Sequence, residues 1–166
     1  MESSQPAAPP APYVDLEAVE KKLHSGANWF FWIAGLSLAN TGMTLTGSDR
    51  SFVLGLAVTQ VADAFAKAMV EQGGPPSLHW LAVGFDVLAA GIFVAAGALA
   101  RRRVTWVYVA VMVLYLLDAA LCGVFQIWVS LAFHALALFY LWSGFSALRT
   151  LRAAAAPPVA ANRLVR

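Results

Sequence analysis

Three aspartates stand inside long apolar runs of this chain, Asp63, Asp86 and Asp118, and His134 adds a fourth titratable group in the same kind of surroundings. An ionised aspartate at the centre of a bilayer costs roughly 2.5–3.5 kcal/mol on insertion scales, so each needs a partner, water or a proton. Counting along each apolar run from its nearer end puts all four at depths of about 8–12 Å, in one layer of one half of the bundle. Helical spacing extends the layer. Gln60, Asp63 and Lys67 share one face at i, i+3 and i+7, as do Tyr115, Asp118 and Cys122. The pattern predicts a contiguous cluster of Asp63, Asp86, Asp118 and His134, with Gln60, Lys67 and Tyr115 beside it.

Two kinds of chemistry fit such a cluster. Carboxylates and an imidazole held in a low-dielectric layer can bind a cation or relay protons. The same groups can also serve as internal glue: Asp63 and Lys67, one turn apart, can form an ion pair, while Asp86 and Asp118 can accept hydrogen bonds from Gln60, Tyr115 or His134. No HExxH or comparable fixed-spacing motif accompanies the carboxylates, so the sequence leaves a metal site undetermined. Ser37 and Ser130 lack flanking residues that would mark a nucleophile, and nothing in the chain calls for a cofactor.

The elements that must position these residues are membrane helices. The chain has 166 residues, 60% hydrophobic and 12% charged, with a mean hydropathy of +0.69. A soluble domain carries about twice that charged fraction, so the lipid bilayer is the expected surroundings. The net charge of +2 is spread in short clusters beside apolar runs rather than along one face, which argues against nucleic-acid binding. Cys122 is the single cysteine, which excludes an intrachain disulfide and a CxxC pair.

The fold expected is all-α, a polytopic transmembrane bundle of about five spans. Residues 1–13 read as a Pro/Ala-rich disordered arm, and 14–24 as an amphipathic interfacial helix. Residues 28–148 make the bundle, and 149–166 a flexible basic tail. The spans start near Asn28, Phe52 and Leu78, and two more fit between Val104 and Leu148. That last stretch is about 67 Å long as a helix and must turn back, near Gly123–Gln126. Gly91 and Ala95, four residues apart on the third span, are the expected close-packing face for a neighbouring helix. That face could serve a homo-oligomer or another membrane protein.

Five spans place Arg50, Arg101–Arg103, Arg149 and Arg152 on one side and Lys21, Lys22 and Lys67 on the other. Six basic residues against three make the first side, with the C-terminus, cytoplasmic. Lys21 and Lys22, abutting the first span, conflict with this. A four-span alternative, with the polar second segment re-entrant, removes the conflict but requires protein to shield the re-entrant backbone.

The segment Ser25-Gly26-Ala27-Asn28-Trp29-Phe30-Phe31-Trp32-Ile33-Ala34-Gly35-Leu36-Ser37 resembles the opening of a group of small uncharacterised bacterial multi-span membrane proteins, and the likeness extends through Thr59-Gln60 with Asp63, Phe85-Asp86 and Phe133-His134. The resemblance implies a bacterial inner-membrane protein and implies no activity. The expectation that follows is a non-enzymatic structural or partner-binding membrane protein, with a small cation or proton transporter as the alternative.

Overall fold

The computed structural model describes residues 15–46 and 55–156, and the expected N-terminal arm and the last ten residues lie outside them. Five helices are described: α1 (Leu16–Leu45), α2 (Ala57–Glu71), α3 (Ser77–Arg101), α4 (Thr105–Val124) and α5 (Trp128–Ala155). The fold is an all-α bundle. Three of the helices, α3, α4 and α5, are long and apolar enough to cross a membrane.

Each helix buries one narrow stripe. On α3 it is Ala82, Asp86, Ala90, Phe93, Ala96, Gly97 and Ala100; on α5 it is Ser130, His134, Ala137, Leu141, Gly144, Ala147, Leu148 and Leu151. The remaining faces carry large exposed apolar side chains, among them Leu81, Trp106, Leu117, Phe139 and Trp142. Contiguous apolar surface of this kind is not sustained in water, whereas lipid solvates it without cost. The chain is a membrane-associated protein.

The 30-residue α1 is one continuous helix, where a separate helix over 14–24 and a span beginning at 28 were expected. Asp15 starts it, its carboxylate accepting the Ala18 N–H at 3.1 Å. The helix runs on through Ser25-Gly26-Ala27 because Leu23, Gly26, Ala27 and Phe30 form one buried stripe, and tertiary packing outweighs the low helix propensity of Gly26. The tail is likewise shorter than expected. α5 extends to Ala155, with Leu151 buried and Arg152 donating to the Arg103 carbonyl at 2.9 Å.

The turns repeat one device. Gly73 has φ +92°, and the following Gly74 N–H reaches back to the Met69 carbonyl at 2.9 Å before Pro75-Pro76. Arg103 and Gln126 adopt the same left-handed conformation after α3 and α4, with φ 62° and 57°. The expected turn near Gly123–Gln126 falls there.

One end of the bundle gathers the N-terminal half of α1, the α3–α4 turn and the end of α5. Glu20 pairs with Arg103 at 2.7 Å, and Arg101 bonds Asn28 while lying over the Phe31 ring. Lys21 and Lys22 therefore lie toward the same end of the bundle as Arg101–Arg103, where the five-span arrangement sets them at opposite ends. The reason lies in α2. At 15 residues it is about 22 Å long, short of a hydrocarbon core of about 30 Å. It begins inside the bundle, where Leu56 and Ala57 are buried, and leaves at the end where α1 finishes and α3 starts.

Small residues do set the closest helix approach, but not the pair expected. A Cβ on Gly26 would lie 2.5 Å from the Gly144 Cα, so α1 and α5 touch backbone to backbone, with the Tyr108 hydroxyl wedged beside them. Gly91 and Ala95 are exposed, and a Cβ on Gly91 meets nothing within 4 Å. Spacing alone did not distinguish the two because Gly91 lies off the buried stripe of α3.

Candidate functional site

The start of α2 has no cap of its own. Its N-cap is Leu56, and the cap comes from another helix: the Asp118 carboxylate accepts the N–H groups of Ala57 and Val58, both at 2.8 Å. The Leu56 N–H donates to Ser37 Oγ at 3.1 Å. The first amides of a helix have no intrahelical partner and carry its positive dipole end, so a carboxylate there is doubly favoured.

His134 completes this clasp. Its Nδ1 lies 2.7 Å from the Ser130 carbonyl oxygen, an obligate acceptor, so Nδ1 carries hydrogen. Its Nε2 lies 2.8 Å from Asp118 Oδ2, so a second proton sits between the two groups. Whether nitrogen or oxygen holds it, the pair is neutral as a unit. The Tyr115 ring stacks on the imidazole at 4.5 Å and 16°. Cys122 donates to Ser130 Oγ at 3.4 Å behind it. Asp118 is 5% exposed and His134 fully buried, so this is a buried, paired site, with Asp118 at the edge of an apolar cavity of about 570 Å³.

Asp86 is held differently. It is fully buried, its Oδ2 lies 2.7 Å from Thr41 Oγ1, and its Oδ1 has no partner. Asp63 is near enough to act on it electrostatically. Both oxygens of Asp63 are buried, and the Thr44 hydroxyl and the His79 ring face them. It lines a cavity of about 1010 Å³ with Asn40, Thr44, Gln60, Lys67, Glu71 and His79. The cavity sits at the end of the bundle where α2 emerges.

The single layer expected from depth is therefore divided. Asp118 and His134 bond directly, Asp86 bonds Thr41, and Asp63 belongs to the cavity. Lys67 lines the same cavity but does not pair with Asp63; the ion pairs among the described residues are Lys21–Glu17, Arg103–Glu20 and His134–Asp118. Gln60 Nε2 and the Tyr115 hydroxyl are without hydrogen-bond partners, so neither supplies the bond to an aspartate that their spacing allows. Equal depth fixes height in the bundle and says nothing about direction, and these helices present their polar groups to different interiors.

Sequence reasoning gave too little weight to α1. Ser37, Asn40, Thr41 and Thr44 form one polar track, of which the first three are buried. It leads from the cavity past Asp86 to the start of α2. Their i, i+3, i+4, i+7 spacing on an otherwise apolar helix was the available signal. A second missed group is the pair of partnerless oxygens on α4 at Thr105 and Tyr108, on the same helix as the expected Tyr115.

Among the described residues no three His, Cys, Asp or Glu side chains are placed to hold a metal ion together. No family model, curated protein or solved structure matches this chain, so its own geometry carries the functional argument.

Proposed function

We propose that this chain is a four-crossing membrane protein in which α2 is a re-entrant half-helix, and that it captures a small cation in the cavity beside α2. The carrying observation is Asp63: a carboxylate with both oxygens buried, faced by the Thr44 hydroxyl and the His79 ring but not paired with a cation, on the wall of a roughly 1010 Å³ cavity. A carboxylate so placed is stabilised by a cation or a proton. The lining adds oxygen ligands from Thr44, Gln60 and Glu71, and its charged side chains are two carboxylates against Lys67. Oxygen ligands without a cluster of imidazoles or thiolates suit a hard cation. Half-helices that end inside a membrane are a recurrent way of building such sites, because irregular backbone at that depth is tolerated where protein or a cavity surrounds it.

The bonds that tie Asp118 to His134 and to the start of α2 support the reading of those two residues as helix glue. Here the glue holds the floor of a binding site. In detergent, the protein is expected to melt several degrees higher on titration with one of sodium, potassium or guanidinium at constant ionic strength, as a ligand specific to the folded state requires. Asp63→Asn should abolish that shift while leaving the salt-free melting temperature nearly unchanged. A wild-type protein indifferent to all three cations overturns the proposal.

The same reading sets the topology. Lys21, Lys22, Arg101–Arg103, Arg149 and Arg152 gather at one end, and Lys67 is the described lysine or arginine at the other. The basic end is the cytoplasmic one, in keeping with a bacterial inner membrane, and the cavity then opens outside. Cysteines introduced at Ser25 and Ala155 should both resist an impermeant thiol reagent in intact cells. One introduced at Gln72 should react. Rapid labelling at Ser25 alone would restore five crossings.

A further inference from the structure

Asp86 differs from the other buried aspartate in a way that fixes its chemistry. Asp118 receives two backbone N–H groups and an imidazole. Asp86, fully buried, has one hydroxyl beside Oδ2 and nothing at Oδ1. An ionised carboxylate without counter-charge in an apolar interior is strongly disfavoured against its neutral form. The surrounding elements offer no relief. Thr41 on α1 is uncharged, and Asp63 on α2 is a like charge. Asp118 on α4 is committed to His134, while on α3 itself His79 lies about 10 Å along the axis and faces Asp63.

The Thr41 hydroxyl can supply Asp86 with no more than one hydrogen. Its oxygen lies 3.1 Å from the Ser37 carbonyl and 2.7 Å from Asp86 Oδ2. A hydroxyl has one hydrogen, and the Ser37 carbonyl can only accept. Given to Asp86 Oδ2, the shorter of the two contacts, that hydrogen is the single donor the carboxyl group receives, and Oδ1 is left with none.

We propose that Asp86 is a proton-binding site of this chain, exchanging with the cavity through Asp63. In the exchange the O–H bond of Asp86 breaks, the proton passes through intervening water to the Asp63 carboxylate, and Asp63 passes it to water in the cavity. Asp86 is left ionised until a proton returns by the same route. The track of Thr41 and Thr44, one helical turn apart on α1, flanks both carboxylates. The proposal concerns the proton at Asp86 and does not require the cavity to bind any other cation.

Infrared spectroscopy of the full chain in lipid tests it. At neutral pH the wild type should give a carboxylic-acid C=O band that shifts down on transfer to deuterium oxide. Asp86→Asn, a neutral isostere of the protonated acid, should remove the band, and Asp118→Glu should leave it. Asp63→Asn should keep the band and slow its shift at least tenfold. A band untouched by Asp86→Asn, or no such band in the wild type, overturns the assignment. A band that never shifts in deuterium oxide marks a sealed proton and overturns exchange, a measurement that holds even if Asp86→Asn does not fold. Loss of cation-dependent stabilisation with the band intact would remove the cation reading and leave this one standing.

Discussion

Asp118→Ala should be among the most destabilising single substitutions in this chain, costing about 3–5 kcal/mol, the range for removing one partner of a buried charged pair. Three losses combine. The N–H groups of Ala57 and Val58 are left without an acceptor, the imidazole of His134 loses its partner, and the positive end of α2 has no carboxylate against it. An unmade bond at a buried amide costs about 1–3 kcal/mol by itself. The damage should be local first. With its start released, α2 should become sensitive to protease at Lys67 before α3–α5 unfold. Denaturant titration in detergent, with proteolysis in parallel, measures both effects. His134→Phe should cost less, because the two backbone bonds to Asp118 survive it. The double variant should cost clearly less than the sum of the two, since both act on one network. Additive losses, or an α2 as resistant as in the parent, would mean that Asp118 does not anchor the half-helix.

The second large effect belongs to the α1–α5 contact. Gly26→Ala places a methyl 2.5 Å from the Gly144 Cα and 2.7 Å from the Tyr108 hydroxyl oxygen. The nearest obstacle is backbone, which cannot swing aside as a side chain can. Overpacking costs about 1–3 kcal/mol, and here the upper part of that range is expected, with Gly26→Leu disrupting the bundle altogether. Gly91→Leu is the matched comparison. It has an open path outward, so its melting temperature in detergent should stay within about a degree of the parent, as for surface substitutions away from packed features. Equal sensitivity at positions 26 and 91 would show that the outer face of α3 is itself packed, against another copy or another protein.

The lesson of these two predictions is the same. Gly26, Gly91 and Gly144 all lie in apolar helical runs, and the chain supplies small residues at helical spacing in several places. Which of them meet depends on the rotation of each helix about its axis. That rotation is fixed by the sum of contacts with the other helices, not by any local pattern.

Composition and apolar periodicity determined that this chain is an all-helical membrane bundle, and the Gly-Gly-Pro-Pro and Gly123–Gln126 breaks determined where two of its turns fall. These are local properties: hydropathy over a span-length window and the backbone freedom or rigidity of particular residues. The identity of the chemically notable residues was legible for the same reason, since Asp63, Asp86, Asp118 and His134 are conspicuous wherever apolar runs enclose them. Tertiary structure alone decided their partners. Asp118 caps a helix about sixty positions earlier in the chain, Asp86 meets Thr41 across the α1–α3 contact, and Asp63 turns toward a cavity. It also decided that α2 begins inside the bundle, where Leu56 and Ala57 are buried. Leu56 and Ala57 carry no capping signal of their own, and the group that satisfies the α2 amides comes from another helix; a pairing over that separation leaves no trace in spacing, because it exists only once the helices have packed.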